Sequence, residues 1–231
     1  MPVTDRSRHA NSRKRQDAAD KGEPHAEPTE SDAATIAELA AEARHCKRCP
    51  LYKNATQLVF GEGPEDASMV LVGEQPGDEE DKMGRPFVGP AGRLLDRALA
   101  EAGLAREAVY LTNVVKHFKH EQRGKRRLHK RPNQFEIERC RWWLDRELTI
   151  IKPKLVVTLG VTATAALVGR TVVLSRLRGQ VLSFGNGRAG MATIHPSAIL
   201  RMPDQQARHQ AFDELVRDLK RAVKVAGMSA A

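Results

Sequence analysis

The stretch KLVVTLGVTATAALVG, residues 154–169, reads as a buried strand that runs through a glycine directly into a helix. A second stretch, MVLVG at 69–73, is another short apolar run ending in glycine and also reads as a buried strand. Working outward, PAGRLLDRALAEAG (90–103) has helical spacing and a glycine stop, and AVYLTNVV (108–115) reads as a strand. NQFEIERCRWWLDREL (133–148) reads as a helix, QVLSF (180–184) as a weaker strand and MATI (191–194) as a strand. A last amphipathic helix runs from about Pro203 to Val225. Strands alternating with helices predict an α/β domain with a largely parallel sheet. Ligands of such sheets bind at the carboxyl ends of the strands, so the loops that follow strands are the ones to read for chemistry.

The flanks and the bulk composition narrow the field. Residues 1–31 are rich in Arg, Asp, Glu, Pro and Ala with almost no large apolar side chain, and a disordered tail is expected there. Order is expected to begin at Ser31 or Asp32, either able to cap a helix through IAELAAEARHC. The domain is expected over residues 32–228. No apolar run reaches membrane-spanning length, and no secretory signal is visible. Three cysteines, an odd number, argue against a disulfide framework and for an intracellular, cytoplasmic protein.

Net charge is +9, and it is concentrated. Between Lys116 and Arg131 there are eight Lys or Arg against one acid, Glu121. Such an excess is a footprint for a polyanion, most often nucleic acid, or else a solvated basic loop or localisation signal. Within it, GKRRLHKRP (124–132) surrounds His129 with cations, and a loop that only grips phosphate has no need of an imidazole.

Three loops after strands carry candidate chemistry. In GEQPGDEEDKMGRPFVGPAG, Glu74 and the Asp78–Asp81 run place carboxylates at the mouth of a site. Phe87 can offer a ring face to a base, or simply pack inward. In LTNVVKHFKH, Asn113 carries a donor and an acceptor suited to an imide edge such as uracil's, although an Asn at a strand end is also an ordinary turn residue. In TIHPSAILR, His195 follows a strand and Ser197 can cap the next turn. The pair Cys46–Cys49, a CxxC, with Cys140 far downstream, suits zinc, a redox pair or an iron–sulfur cluster. His117 and His120 are candidates for a fourth ligand.

Together these segments resemble the iron–sulfur uracil-DNA glycosylases, family four in particular. GEQPGDEED is similar to the family's first motif, GRPFVGPAGRLLD to the stretch with the base-stacking phenylalanine, TNVVK to the uracil-reading strand and HPS to the last motif. The resemblance runs from Cys46 to the final helix. It implies a three-layer α/β/α fold with a mainly parallel four-stranded sheet. It also implies a [4Fe–4S] cluster on Cys46, Cys49, His117 and Cys140, with His117 standing where the family usually has cysteine.

Uracil is then bound by Gln75, Phe87, Asn113 and His195. Lys125, Arg126, Arg127, Lys130, Arg131, Ser197 and Arg201 contact DNA, preferably single-stranded, and the protein is expected to act as a monomer. A second departure, the inserted segment at about 118–133 with its KRRLH, resembles the UdgX-type branch, as does Gln75. That branch implies that His129 bonds covalently to the anomeric carbon left by excision, with Glu74, Gln75 and His195 as its catalytic companions. The alternative is an ordinary turnover glycosylase, or an idle iron–sulfur DNA-binding protein. Neutral imidazole is required for trapping, and the expectation is that Arg126, Arg127, Lys130 and Arg131 keep it neutral.

Overall fold

Apolar strands without polar alternation must be covered on both faces, and the structure, a computed structural model that describes residues 31–229, covers them with helices. The sheet is built from β1 (Met69–Gly73), β2 (Tyr110–Asn113), β5 (Leu155–Leu159), β6 (Val181–Ser183) and β7 (Ala189–Thr193), in the order β2-β1-β5-β7-β6. All pairs are parallel except β6 with β7. The sheet therefore has the five strands read along the sequence, one more than the resemblance implied. The weak QVLSF segment is an antiparallel edge with half-exposed side chains.

Successive residues of one strand feed the two cores. Val70 and Val72 pack with α1 (Ile36–Ala43), α4 (Gln134–Ile151) and α5 (Val161–Val168). Met69 and Leu71 pack with α3 (Pro90–Glu101), α7 (Pro196–Leu200) and α8 (Gln205–Val225). This is the expected three-layer arrangement. Two short helices, α2 (Asp78–Met83) and α6 (Leu174–Leu177), complete it, and α2 occupies a stretch read from sequence as loop. Among the described residues no helix is long and apolar enough to cross a membrane.

Two local expectations change. The tail expected over residues 1–31 lies, apart from Ser31, outside the described residues. Helix α1 is capped by Thr35 rather than Ser31 or Asp32, because Glu38 three residues on completes a reciprocal capping box. The basic insertion is not an open loop but a hairpin of β3 (His120–Arg123) and β4 (Arg126–His129), turning at Gly124 with φ 56°.

Register places the site. Gly73 is level with Asn113 across β1 and β2, and Leu159 with Thr193 across β5 and β7. The residues that follow, Glu74, Gly160–Thr162 and His195, therefore emerge together at the carboxyl edge of the sheet.

Candidate active site

A cavity of about 670 Å³ opens at that edge. Glu74, Gln75, Phe87, Asn113, His129 and His195 all line it, as do Arg131, Ser197 and Arg201. The expected catalytic and base-reading residues, scattered over 122 positions from Glu74 to His195, are thus brought to one place.

The floor is rigid. Asn113 is buried at the end of β2, and a Cβ added to Gly73 would lie 2.4 Å from Asn113 Oδ1 and 2.8 Å from Phe87 Cζ. Only glycine at 73 lets the amide and the ring approach so closely. Phe87 itself has φ 54°, a left-handed conformation that is costly for an aromatic residue. Arg106 holds it there by donating Nη1 to Phe87 O at 3.1 Å and Nη2 to Pro86 O at 2.8 Å. Phe87 both packs in the core and presents its ring to the cavity, so the two readings of it are compatible.

Behind Asn113 lies a network that sequence reading missed. Lys116 and Glu147 are fully buried, with Nζ donating to Glu147 Oε2 at 2.5 Å, to Thr112 Oγ1 at 2.6 Å and to the carbonyl of Asn113 at 2.9 Å. Tyr110 donates its hydroxyl to Glu147 Oε1 at 2.9 Å. Burying two charges is tolerable only when they are paired and their remaining valences filled. The consequence is that the end of β2 is tied to α4. A lysine ending the apolar run VVK was the available signal.

His195 is neutral in this setting. Its Nδ1 accepts the amide hydrogen of Ser197 at 3.1 Å, which assigns the ring proton to Nε2. Burial, reinforced by Arg201 and His129, pushes its pKa down to about 4. The ring stacks beside Phe87, with centroids 6.2 Å apart.

The hairpin delivers His129 from above. The side-chain amide of Gln75 is oriented by the backbone: Oε1 accepts from Lys119 N at 2.9 Å, and Nε2 donates to Lys130 O at 2.8 Å. The same Nε2 lies 2.8 Å from His129 Nε2. An amide nitrogen only donates, so His129 Nε2 accepts, its lone pair is unprotonated and its proton is on Nδ1. Glu74 Oε1 stands 3.7 Å from the same nitrogen. Phe118, buried under the hairpin, stacks on His120 at 5.0 Å and lies 6.1 Å from the His129 ring.

The cause of that neutrality differs from the expected one. Burial lowers the pKa of His129, opposed by Glu74 and assisted by Arg201, while the hairpin cations are engaged elsewhere. Arg127 is stapled to α2, with Nε 2.6 Å from Asp78 Oδ1 and Nη1 2.5 Å from Asp81 Oδ2, so it is not open to a phosphate. Lys130 pairs with Glu121 at 2.5 Å. Lys125 and Arg126 are exposed at the hairpin tip, away from the cavity wall. Of the acidic run, Asp78, Glu79 and Glu80 line the cavity as expected, with Glu80 also accepting from Gly77 N and Gly89 N, while Asp81 is buried against Thr56 N and Arg127 and braces the loop.

Residues 60–220 match the uracil DNA glycosylase superfamily. The chain belongs to that superfamily. Among curated proteins it is 38% identical over 182 residues to a type-4 uracil-DNA glycosylase of Thermotoga maritima, covering 78% of this chain and 91% of that one. It is 35% identical to the type-4 uracil-DNA glycosylase of Archaeoglobus fulgidus, covering 80% and 93% of the two chains. A third, from Pyrobaculum aerophilum, is 37% identical over 72% of this chain and 85% of its own.

In this superfamily member the three cysteines converge away from the cavity. Cys49 and Cys140 lie in one core with Cys46 packed against it. Two sulfurs receive N–H bonds, Cys140 Sγ from the amide of Lys116 and Cys46 Sγ from the indole of Trp143, both at 3.1 Å. Burial raises the Cys49 thiol to about 11 and pushes Cys140 higher still than its ordinary value. His117 is itself held neutral by burial, its pKa lowered to about 4.

Among the described residues no three His, Cys, Asp or Glu side chains are grouped so as to hold a metal ion, so the expected set of Cys46, Cys49, His117 and Cys140 is not drawn together as a metal site. Three thiols in and against one core are a donor set of the kind that holds either an iron–sulfur cluster or a zinc ion.

Proposed function

We propose that this protein excises uracil from DNA by cleaving the N-glycosidic bond. The observation that carries this reading is the meeting, in one cavity, of the Phe87 ring, the buried Asn113 amide, a neutral His195 and the Glu74 carboxylate. A uracil taken out of the base stack would lie against Phe87 and read its imide edge on Asn113. As the C1′–N1 bond breaks, its electron pair goes to the base. His195 Nε2–H can donate to the oxygen that becomes negative, at no cost in prior deprotonation. Glu74 offers an anion opposite the electron-poor sugar. In hydrolysis, water adds to C1′ and loses a proton while the departing uracilate gains one.

The type-4 relatives support release of product with turnover. A specific observation favours a second fate for the sugar: His129 Nε2 is unprotonated at the cavity, its lone pair accepting from Gln75 and available to the sugar once that bond is released, and Glu74 stands 3.7 Å away. In that reading Nε2 bonds to C1′ in place of water. The charge left on the ring is relieved by loss of the Nδ1 proton, and uracilate takes up a proton. A tethered imidazole competes with water through its high effective concentration. Arg131, Arg201 and Ser197 at the cavity and Lys125 and Arg126 at the hairpin tip would meet the phosphates of the strand, single-stranded DNA being favoured because no pairing need be broken.

We place a [4Fe–4S] cluster on Cys46, Cys49, Cys140 and His117. Bound there, it would pin the CxxC segment to α4 and to the chain that leaves β2. We assign residues 32–228 to one glycosylase-like domain that contains the hairpin insertion.

The test is incubation of the protein with a uracil-bearing oligonucleotide, scoring both free uracil and a protein–DNA species that survives SDS and heat. Wild type should release uracil and form the stable species at no more than one equivalent. His129→Ala should release uracil without forming it. Free abasic product in excess of wild-type protein would establish turnover and sink the trap. No uracil release at all would sink the glycosylase.

A further inference from the structure

Glu74 divides its two oxygens between different partners. Oε1 faces His129, and Oε2 accepts a hydrogen bond from the hydroxyl of Thr162, the second residue of α5. Thr162 is buried, and the same hydroxyl oxygen accepts from Arg131 Nε at 3.1 Å. A hydroxyl has one hydrogen and can accept while it donates, so Arg131 and Glu74 occupy opposite sides of one oxygen. Arg131 lies just beyond the hairpin that carries His129. Thr162 reaches this point because Gly160, with φ 90°, turns the chain sharply from β5 into α5.

We propose that Thr162 is a positioning residue for Glu74, and that Arg131 links it to the hairpin. Resting on the glycosylase reading above, the inference is that the Arg131–Thr162–Glu74 chain selects the carboxylate orientation that faces the sugar. Without the hydroxyl, Glu74 has no partner on its Oε2 side and is free to swing towards the cations at the cavity, Arg131 and Arg201. With it, the position of the hairpin and the orientation of the carboxylate are tied together. Thr162 touches neither base nor sugar in this scheme and acts only through Glu74.

Single-turnover uracil release, with protein in excess over a uracil-bearing oligonucleotide, tests this. Thr162→Val keeps the shape and removes the hydroxyl. It should lower the limiting rate by about 10²-fold, the scale expected for a misplaced reacting group, while the protein concentration giving half that rate stays unchanged. Thr162→Ser should restore most of the rate, which a purely structural role for the β-branched side chain would not allow. The Thr162→Val, Arg131→Gln double variant should bind DNA more weakly, which raises the protein concentration giving half the rate, but its limiting rate should be no lower than that of Thr162→Val alone, because both substitutions break one chain.

An undiminished rate for Thr162→Val, or a serine variant as slow as the valine one, would overturn the role of Thr162. Additive losses would overturn the link to Arg131. A wild type that releases no uracil would instead overturn the glycosylase reading.

Discussion

Asn113 and His195 stand at the ends of strands whose register leaves them no other place. His129 lines the same cavity from a two-stranded hairpin outside the sheet. Asn113 is buried and braced from behind by the Lys116–Glu147 pair, and His195 is half-buried and fixed by the Ser197 amide. His129 retains 52% side-chain exposure and is positioned by Gln75, by Phe118 and by the Arg127 staple. On the function proposed above, this contrast divides the labour: breaking the glycosidic bond would belong to the sheet edge, and the fate of the sugar to the hairpin. Damage to one should be separable from damage to the other.

The largest effect is expected at the residue both regions share. Glu74→Gln should slow uracil release by about 10³-fold and reduce adduct formation equally, measured by single-turnover kinetics. Loss of adduct with normal release would break the comparison by moving Glu74 to the hairpin's side of it.

Arg127→Gln should cost about 3 kcal/mol, since it strands the buried Asp81 with one ion-pair partner gone. Thermal unfolding would measure this, and the adduct should fall relative to released uracil because the hairpin has lost its staple. An unchanged melting temperature would show that Thr56 alone satisfies Asp81.

The subtlest separation is by pH. Both histidines are held below the ordinary 6.5, His195 to about 4. His129, half-exposed and beside Glu74, protonates first as pH falls, and a protonated ring has no lone pair to give. Adduct yield should therefore be level from pH 8 to 6.5 and decline below, while uracil release persists towards pH 5. Parallel decline of the two would blur the distinction. For stability the sign is the same: a histidine whose folded pKa is depressed stabilises the fold above 6.5, and that contribution is lost as pH falls towards 4.

The strand-and-helix order was legible because buried parallel strands are apolar runs with sharp glycine ends, as in MVLVG and KLVVTLG. Asn113 and His195 were legible because they sit at or just past the ends of such strands, and Phe87 because it lies in a motif on the connection that follows one. The hairpin was not, since HEQRGKRRLH has neither apolar alternation nor β-rich composition, and it folds by resting on Phe118 and α2. Arg127 and Lys130 were misjudged for a related reason: a count of charges does not tell which cations already have a carboxylate beside them.

By itself the sequence determined the layers, the parallel sheet, the family and the identity of the residues around the cavity, because periodicity and motif spacing are properties of the chain alone. Only the tertiary structure decided which nitrogen of His129 is unprotonated, that burial, helped by Arg201 and not by the hairpin cations, lowers its pKa, and that Thr162 bonds to Glu74. Those depend on distances between side chains far apart in the chain, and hydrogen bonding and desolvation act only over such distances.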